Sequence, residues 1–311
     1  MLHIVFYGAG AIGGYFGARL LAAGEQVSFV ARGRHAQAIR EGGLRVKSPL
    51  GDVQVDVASI SDDPAALGAA DLVVFTVKMF DAEDAAARLA PLMKPGTVVL
   101  PLQNGVEIAE LLARHVDREA VALGAAYIPA KIAEPGVIEH AGTMAGLRFG
   151  ALAPAQKPVL EAFAAAGTRA GFKAELVEDM ARAMWEKFVF LVGMSSLTAL
   201  VRLPIGVVRA DPELRHLLRE VMDEVAALAA AEGHPLAPGF VDSQIALVDS
   251  LPAQAKASMA NDLDAGRALE LPWLAGAVVR RAQARGLAVP ANRFIAAALS
   301  PYAKGAPQGQ P

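Results

Sequence analysis

Residues 1–34 read MLHIVFYGAGAIGGYFGARLLAAGEQVSFVARGR, and this stretch decides the fold. Leu2–Tyr7 is a short apolar run that passes straight into glycines. Ile12–Ala23 then has helical character and stops at Gly24, a residue type suited to the left-handed position that closes helices. Val27–Ala31 is a second apolar run. The order is strand, glycine turn, helix, strand, which opens a βαβ unit. Inside it, Gly8-Ala9-Gly10-Ala11-Ile12-Gly13 fits G-x-G-x-x-G, directly after a strand and at the start of a helix. In that setting Gly8 permits the tight turn and Gly10 lets the backbone approach a pyrophosphate. Gly13 allows close helix–sheet packing, and the helix N-terminus offers N–H donors to phosphate. A glycine turn without a ligand is the structural alternative. The context predicts a dinucleotide-binding turn.

The second strand decides which dinucleotide. A site for NAD places Asp or Glu about 20 residues past the glycines, on the ribose 2′-hydroxyl. Here the strand ends in Val30-Ala31-Arg32-Gly33-Arg34, with no carboxylate. Arg32 is suited to a 2′-phosphate, with Arg34 as a helper, so NADP(H) is expected over NAD(H).

Outward from this opening, Leu44–Lys47 and Val53–Val57 flank Ser48-Pro49-Leu50-Gly51-Asp52 and predict a hairpin. Leu72–Val77 and Thr97–Leu100 predict buried strands, with helices over Asp81–Leu92 and Val106–His115. This alternation predicts an α/β fold with a Rossmann-type, doubly wound parallel sheet, covered on both faces. After about Glu178 the pattern becomes helical, most clearly over Asp179–Ala199, Pro212–Glu232, Pro238–Val248 and Arg267–Arg285. The expected organisation is a dinucleotide-binding domain over 1–175, an all-α domain over 176–300, and a disordered Gly-, Pro- and Gln-rich tail over 301–311.

Composition narrows the function. The 311 residues are 54% hydrophobic and carry a net charge of −3, so no general attraction to nucleic acid or anionic membrane is implied. There is no cysteine, which excludes disulfides, thiolate metal sites and cysteine nucleophiles. The histidines His3, His35, His115, His140, His216 and His234 show no ligand spacing, and no metal is expected. Mean hydropathy is +0.37, a value that raises the question of a membrane. Glycines interrupt the uncharged N-terminal run, and no basic region precedes it as in a signal peptide. The uncharged run Phe188–Val201 falls short of the roughly 20 residues a span needs. The sequence predicts a soluble cytoplasmic protein. The helical half is compatible with a homodimer.

Further motifs lie where ligands gather in such sheets, past the carboxyl ends of strands. Lys78 follows the strand Leu72–Phe75, and Gln103-Asn104-Gly105 follows the next one. Asn104 can orient a nicotinamide or a substrate carbonyl, or can serve only as a turn residue or cap. In Met184-Trp185-Glu186-Lys187-Phe188, Lys187 opens an apolar helix and shares a face with Leu191 and Ser195. A desolvated lysine has a lowered pKa and suits acid–base work, whereas a snorkelling lysine does not. Ser258 begins the segment Ser258–Leu263, and Glu270 sits among apolar residues before Pro272-Trp273.

Together these motifs resemble the ketopantoate reductase (2-dehydropantoate 2-reductase) family, from residue 3 to about 299. The resemblance rests on their order: GAGAIG at 8–13, AR at 31–32, VK at 77–78, QNG at 103–105, WEK at 185–187, LTA at 197–199, SM at 258–259, Glu270, and RRAQARGLAVPAN at 280–292. It implies NADPH-dependent reduction of a 2-oxo acid in the cleft between two domains, with ketopantoate reduced to (R)-pantoate in pantothenate biosynthesis. By the same likeness Lys187 is the general acid, and Asn104, Lys187, Ser195 and Ser258 contact substrate. Gly8, Ala9, Gly10, Ala11, Ile12, Gly13, Arg32, Lys78, Asn104 and Glu270 contact the cofactor, as does Ala130 through its backbone in a loop after strand Ala120–Tyr127. The chain departs from the pattern at Leu191 and Ser195, where members most like the pantothenate-pathway enzymes carry asparagines, and at Pro272, where an acid is common. Leu191 cannot hydrogen-bond, so a different 2-oxo acid or carbonyl substrate is the alternative. A non-catalytic NADP(H)-binding sensor is the alternative from another class.

Overall fold

The structure, a computed structural model, describes residues 1–307. It divides into two compact units: residues 1–103 with 108–180, and residues 104–107 with everything from Ala181 onward.

The first unit is built on β1 (His3–Tyr7), β2 (Gln26–Val30), β5 (Ile60–Ser61), β6 (Leu72–Phe75) and β7 (Val98–Pro101). All pair in parallel, in the order β5-β2-β1-β6-β7. Burial on both faces explains why β6 (LVVF) and β7 (VVLP) read as unbroken apolar runs rather than alternating ones. The chain steps from β1 outward to β2, then returns past β1 to β6. Strand order therefore reverses between β1 and β6, the place where ligands bind at the carboxyl ends of such sheets.

Helix α1 (Ala11–Ala22) covers this sheet, and its other side packs on a second sheet. That sheet has the order β4-β3-β10-β9 and comprises β3 (Leu44–Lys47), β4 (Val53–Val55), β9 (Ala130–Glu134) and β10 (Val137–His140). A third sheet joins β8 (Leu123–Tyr127), β11 (Gly146–Gly150) and β12 (Lys173–Leu176) in the order β12-β11-β8. The unit's core fills with aromatic rings, with Phe6 stacked on Phe29 at 5.7 Å and Phe16 edge-on to Phe172 at 4.8 Å. Helices α2 (Gly33–Gly42), α3 (Ala82–Ala86), α4 (Ile108–Leu112) and α5 (Lys157–Arg169) complete it.

The second unit is helical: α6 (Met180–Val201), α7 (Ile205–Ala210), α8 (Pro212–Ala231), α9 (Phe240–Ser250), α10 (Ser258–Asp264), α11 (Ala275–Ala284) and α12 (Pro290–Leu299). Helix α6 is apolar nearly all round and runs through the unit's core, among Val225, Leu228, Val278 and Ile295. At 22 residues it is long and apolar enough to cross a membrane, but two thirds of its most apolar window is buried inside the protein. Asp211 caps α8 by accepting from the Leu214 N–H, and Glu224 caps α12 from the side by accepting from the Ala291 and Asn292 N–H groups.

Several predicted elements come out differently. The helix expected over Asp81–Leu92 is α3 flanked by 3₁₀ turns at Met79–Asp81 and Ala90–Leu92, the second carrying Pro91 in its first turn. The helix expected over Val106–His115 shrinks to α4, and the strand expected from Ala120 starts at Leu123, after a 3₁₀ turn at Arg118–Ala120. Arg267–Glu270 is not helical: Leu271–Trp273 forms a 3₁₀ turn and α11 starts at Ala275. Of the tail expected to be disordered, residues 301–307 are described. Leu269 N–H donates to the Ala303 carbonyl, and Ala306 N–H to that of Gly266. Residues 308–311 lie outside the described residues.

Candidate active site

In the first unit, four predicted site segments meet at the carboxyl edge of one sheet: the glycine turn after β1, Arg32 after β2, Lys78 after β6, and Gln103 after β7. Gly8 has φ +114°, which a side chain would strain, and its N–H donates to the Val30 carbonyl at 2.9 Å. Gly13 is required by close approach. A Cβ there would lie 2.0 Å from the Gly8 carbonyl oxygen and 2.5 Å from Thr76 Oγ1, and that hydroxyl itself donates to the Gly8 carbonyl at 2.8 Å. Gly10 differs, because among the described residues nothing lies within 4 Å of a Cβ placed on it. It also begins α1 without any side-chain cap. The turn is thus tightly packed beneath Gly8 and Gly13 and open above Gly10, where α1 starts without a side-chain cap. That shape fits a phosphate held by backbone.

Arg32 is the residue before α2 and is 73% exposed; its Nη2 donates to Asp81 Oδ1. Lys78 is exposed and precedes the 3₁₀ turn that carries Asp81. Ala130 is not in a loop. It is the first residue of β9, paired with His140, on the strand that packs against α1. Pro135-Gly136, between the two short β runs, carries the turn signal that joins β9 to β10.

In the second unit, three residues far apart in sequence form a chain of polar contacts. Lys187 Nζ donates to Asn104 Oδ1 at 3.3 Å, and Asn104 Nδ2 donates to Glu270 Oε2 at 3.3 Å. Lys187 lies on the second turn of α6, Asn104 on the short segment after Gln103, and Glu270 just before the 3₁₀ turn at Leu271–Trp273. Glu270 is 7% exposed. The amide therefore has a fixed sense, with its oxygen toward the cation and its nitrogen toward the carboxylate. Desolvation lowers the Lys187 pKa from 10.5 to about 8, and the Glu270 charge opposes that fall. A lysine so placed carries a proton near neutral pH and gives it up readily.

Ser195 lies two turns further along α6, fully buried, and its Oγ has no hydrogen-bond partner among the described residues. Leu191, between them, is partly buried against the apolar core. Ser258 is exposed at the start of α10. Thr198 positions that start: its Oγ1 donates to the Met194 carbonyl at 2.6 Å and accepts from the Ala257 N–H at 3.4 Å.

Sequence reasoning missed four residues around these sites. Asp81 partners Arg32 across 49 positions. Gln103 Nε2 donates to the Val77 carbonyl at 2.9 Å and ties the ends of β6 and β7 together. His35 has Nε2 at 2.9 Å from the Ala9 carbonyl, and its Nδ1 accepts from the Gly136 N–H at 3.0 Å. Since Nδ1 accepts, Nε2 carries the proton, and a neutral imidazole braces the glycine turn. The fourth is Thr198. Gln103, beside Asn104, and Thr198, inside LTA at 197–199, lie in noted motifs, whereas Asp81 and His35 had no local signal.

The model of the family described as ketopantoate reductase PanE/ApbA matches residues 4–154, and that of its C-terminal part matches 179–303. The chain belongs to the ketopantoate reductase family. This is a family of oxidoreductases. A 2-dehydropantoate 2-reductase from Halobacterium salinarum is 33% identical over 296 residues, covering 95% of this chain and 97% of that protein. A crystal structure of 2-dehydropantoate 2-reductase from Geobacter metallireducens, 33% identical, matches with a TM-score of 0.88 over 96% of this chain and 98% of that one. The fold is also that of a D-mandelate dehydrogenase solved with NADH and anilino(oxo)acetate, with a TM-score of 0.88 over 96% of this chain and 97% of that one, at 21% identity.

Proposed function

We propose that this protein reduces ketopantoate to (R)-pantoate with NADPH, with Lys187 as the general acid. The observation that carries the reading is the Lys187–Asn104–Glu270 chain, in which burial brings an ammonium to a pKa of about 8. Relatives named 2-dehydropantoate 2-reductase at about a third identity support the substrate. The open face of Gly10 and the uncapped start of α1 support a dinucleotide pyrophosphate, and Arg32 supports a 2′-phosphate. The first unit is then the cofactor-binding half. A cytoplasmic location goes with this reading.

The bound nicotinamide would supply hydride to the substrate's C2 carbonyl carbon. The protein's own part is the proton. Charge builds on the carbonyl oxygen as the C–O double bond is lost, and the Lys187 ammonium stabilises that charge and then transfers its proton to the oxygen. Asn104 keeps Nζ aimed by accepting one of its hydrogens. Glu270 keeps the lysine protonated against desolvation, and accepts from Asn104 so that the amide cannot flip. Ser195 Oγ and Ser258 Oγ are the proposed substrate contacts; the buried Ser195 hydroxyl lacks a partner that a substrate oxygen would provide.

Leu191 favours a second reading. It stands one turn past Lys187 and offers no hydrogen bond to the hydroxyl of ketopantoate. Nicotinamide absorbance followed over time with NADPH and a panel of 2-oxo acids decides. Turnover with ketopantoate well above the panel is the expected result. Turnover with another 2-oxo acid and none with ketopantoate selects the second reading. Lys187→Ala is expected to lose about 10²- to 10⁴-fold in turnover while NADPH affinity holds; unchanged turnover removes Lys187 from the chemistry.

A further inference from the structure

The end of β2 supplies two arginines and no acid, yet an acid reaches that place from elsewhere in the chain. Asp81 lies in the 3₁₀ turn after β6, and its Oδ1 accepts from Arg32 Nη2 at 2.5 Å. We propose that Asp81 is a specificity-determining residue, whose carboxylate occupies the Arg32 guanidinium in the free protein and limits the preference for a 2′-phosphorylated dinucleotide over an unphosphorylated one. This rests on the reading of Arg32 as the 2′-phosphate ligand.

The geometry makes the two dinucleotides unequal toward this pair. A 2′-phosphate competes with Asp81 for the same guanidinium, since a bidentate contact uses the planar fork of N–H groups that Asp81 partly occupies. It also brings its negative charge close to the carboxylate, and like charges at such distances repel. Both side chains are well exposed, 73% for Arg32 and 50% for Asp81, so the ion pair is weak and yields to a stronger anion. Binding of a 2′-phosphate is therefore opposed, not blocked. An unphosphorylated ribose asks for no such exchange. It leaves the Arg32–Asp81 pair in place, and the carboxylate is an acceptor for the ribose hydroxyl. Acids in Rossmann sites serve the same purpose from the end of the second strand. Here the acid comes from the loop after β6, so inspection of the second strand alone overstates the preference for NADPH. Nor does the start of α2 settle the balance: no side chain caps it, and Arg34 stands beside it, so the phosphate is drawn in while Asp81 holds it back.

Dissociation constants for NADPH, NADH, 2′,5′-ADP and 5′-AMP, measured by titration calorimetry on the full chain, test this with Asp81→Asn, Asp81→Ala and Arg32→Ala. Removing the carboxylate is expected to tighten NADPH and 2′,5′-ADP by roughly 3- to 10-fold and to weaken NADH, which moves the NADPH/NADH ratio by about tenfold or more. Arg32→Ala is expected to weaken NADPH and 2′,5′-ADP and to leave 5′-AMP unchanged. An unmoved ratio in both Asp81 variants, with NADPH weakened in Arg32→Ala, overturns the role of Asp81 and leaves the cofactor reading standing. Unchanged NADPH affinity in Arg32→Ala overturns the cofactor reading itself, and the proposal with it.

Discussion

Lys187 sits close to the pH at which it loses its proton. Burial pulls its pKa from 10.5 to about 8, against the opposing charge of Glu270. Carbonyl reduction needs the protonated form, so the sign of the pH dependence follows. The rate of reduction is expected to be level below about pH 8 and to fall roughly tenfold per unit above it. The reverse reaction needs the neutral amine as base and is expected to rise roughly tenfold per unit up to about pH 8 and to level off above it. Glu270→Gln removes the charge that holds the pKa up while keeping an acceptor for Asn104. The break in the profile is then expected to move to lower pH. A break that stays put in this variant, measured as kcat/KM against pH, assigns it to a group other than Lys187.

The glycine turn shows how one element divides structural duty from binding duty. Gly13→Ala puts a Cβ 2.0 Å from a backbone oxygen, so the turn or the helix must shift, and a fall in Tm of several degrees is expected. Gly10→Ala meets nothing within 4 Å, so Tm is expected to hold while NADPH affinity drops by tenfold or more, because the methyl group stands where the pyrophosphate approaches. A Gly10→Ala protein with unchanged affinity would remove the dinucleotide from this turn. The same element explains how much could be read from sequence. Gly8 and Gly13 obey local constraints, a positive φ and a close approach within five residues, and such constraints are written in the local string. Lys187, Asn104 and Glu270 could be singled out one by one. Their hydrogen-bonded chain could not, because it joins positions up to 166 residues apart. The Arg32–Asp81 pair was hidden for the same reason. The short edge strand β9 and its neighbour β10 bury only part of their surface, so their polar residues Lys131, Glu134 and Glu139 hid the β period. Pro91 and Pro272 cut helical patterns whose apolar spacing continues through them.

The molecule as a whole carries two separate hydrophobic cores. One gathers Phe6, Phe16, Phe29, Phe149 and Phe163 around the parallel sheet, and the other gathers Trp185, Phe188, Leu197, Val225 and Ile295 among the helices. Every residue proposed to hold the pyrophosphate and the 2′-phosphate belongs to the first unit. A ligand that binds the native state and not the unfolded one stabilises it by RT ln(1 + [L]/Kd), about 2.7 kcal/mol at a hundred times Kd. For a unit of this size that corresponds to a rise in Tm of about 5–10 °C. With a net charge of only −3, the molecule has no strong overall field to draw in an anionic dinucleotide, so the gain must come from local groups. NADPH is therefore expected to raise Tm by this amount in the wild-type protein. At the same concentration, Arg32→Ala is expected to lose most of the rise, because the ratio of ligand to Kd falls. Lys187→Ala is expected to keep nearly all of it, since Lys187 serves proton transfer and lies in the second unit. Thermal scans of the three proteins with and without NADPH check this pattern. An equal loss in both variants would mean that the lysine holds the cofactor, and the division between a dinucleotide-holding unit and a proton-donating one would have to be given up.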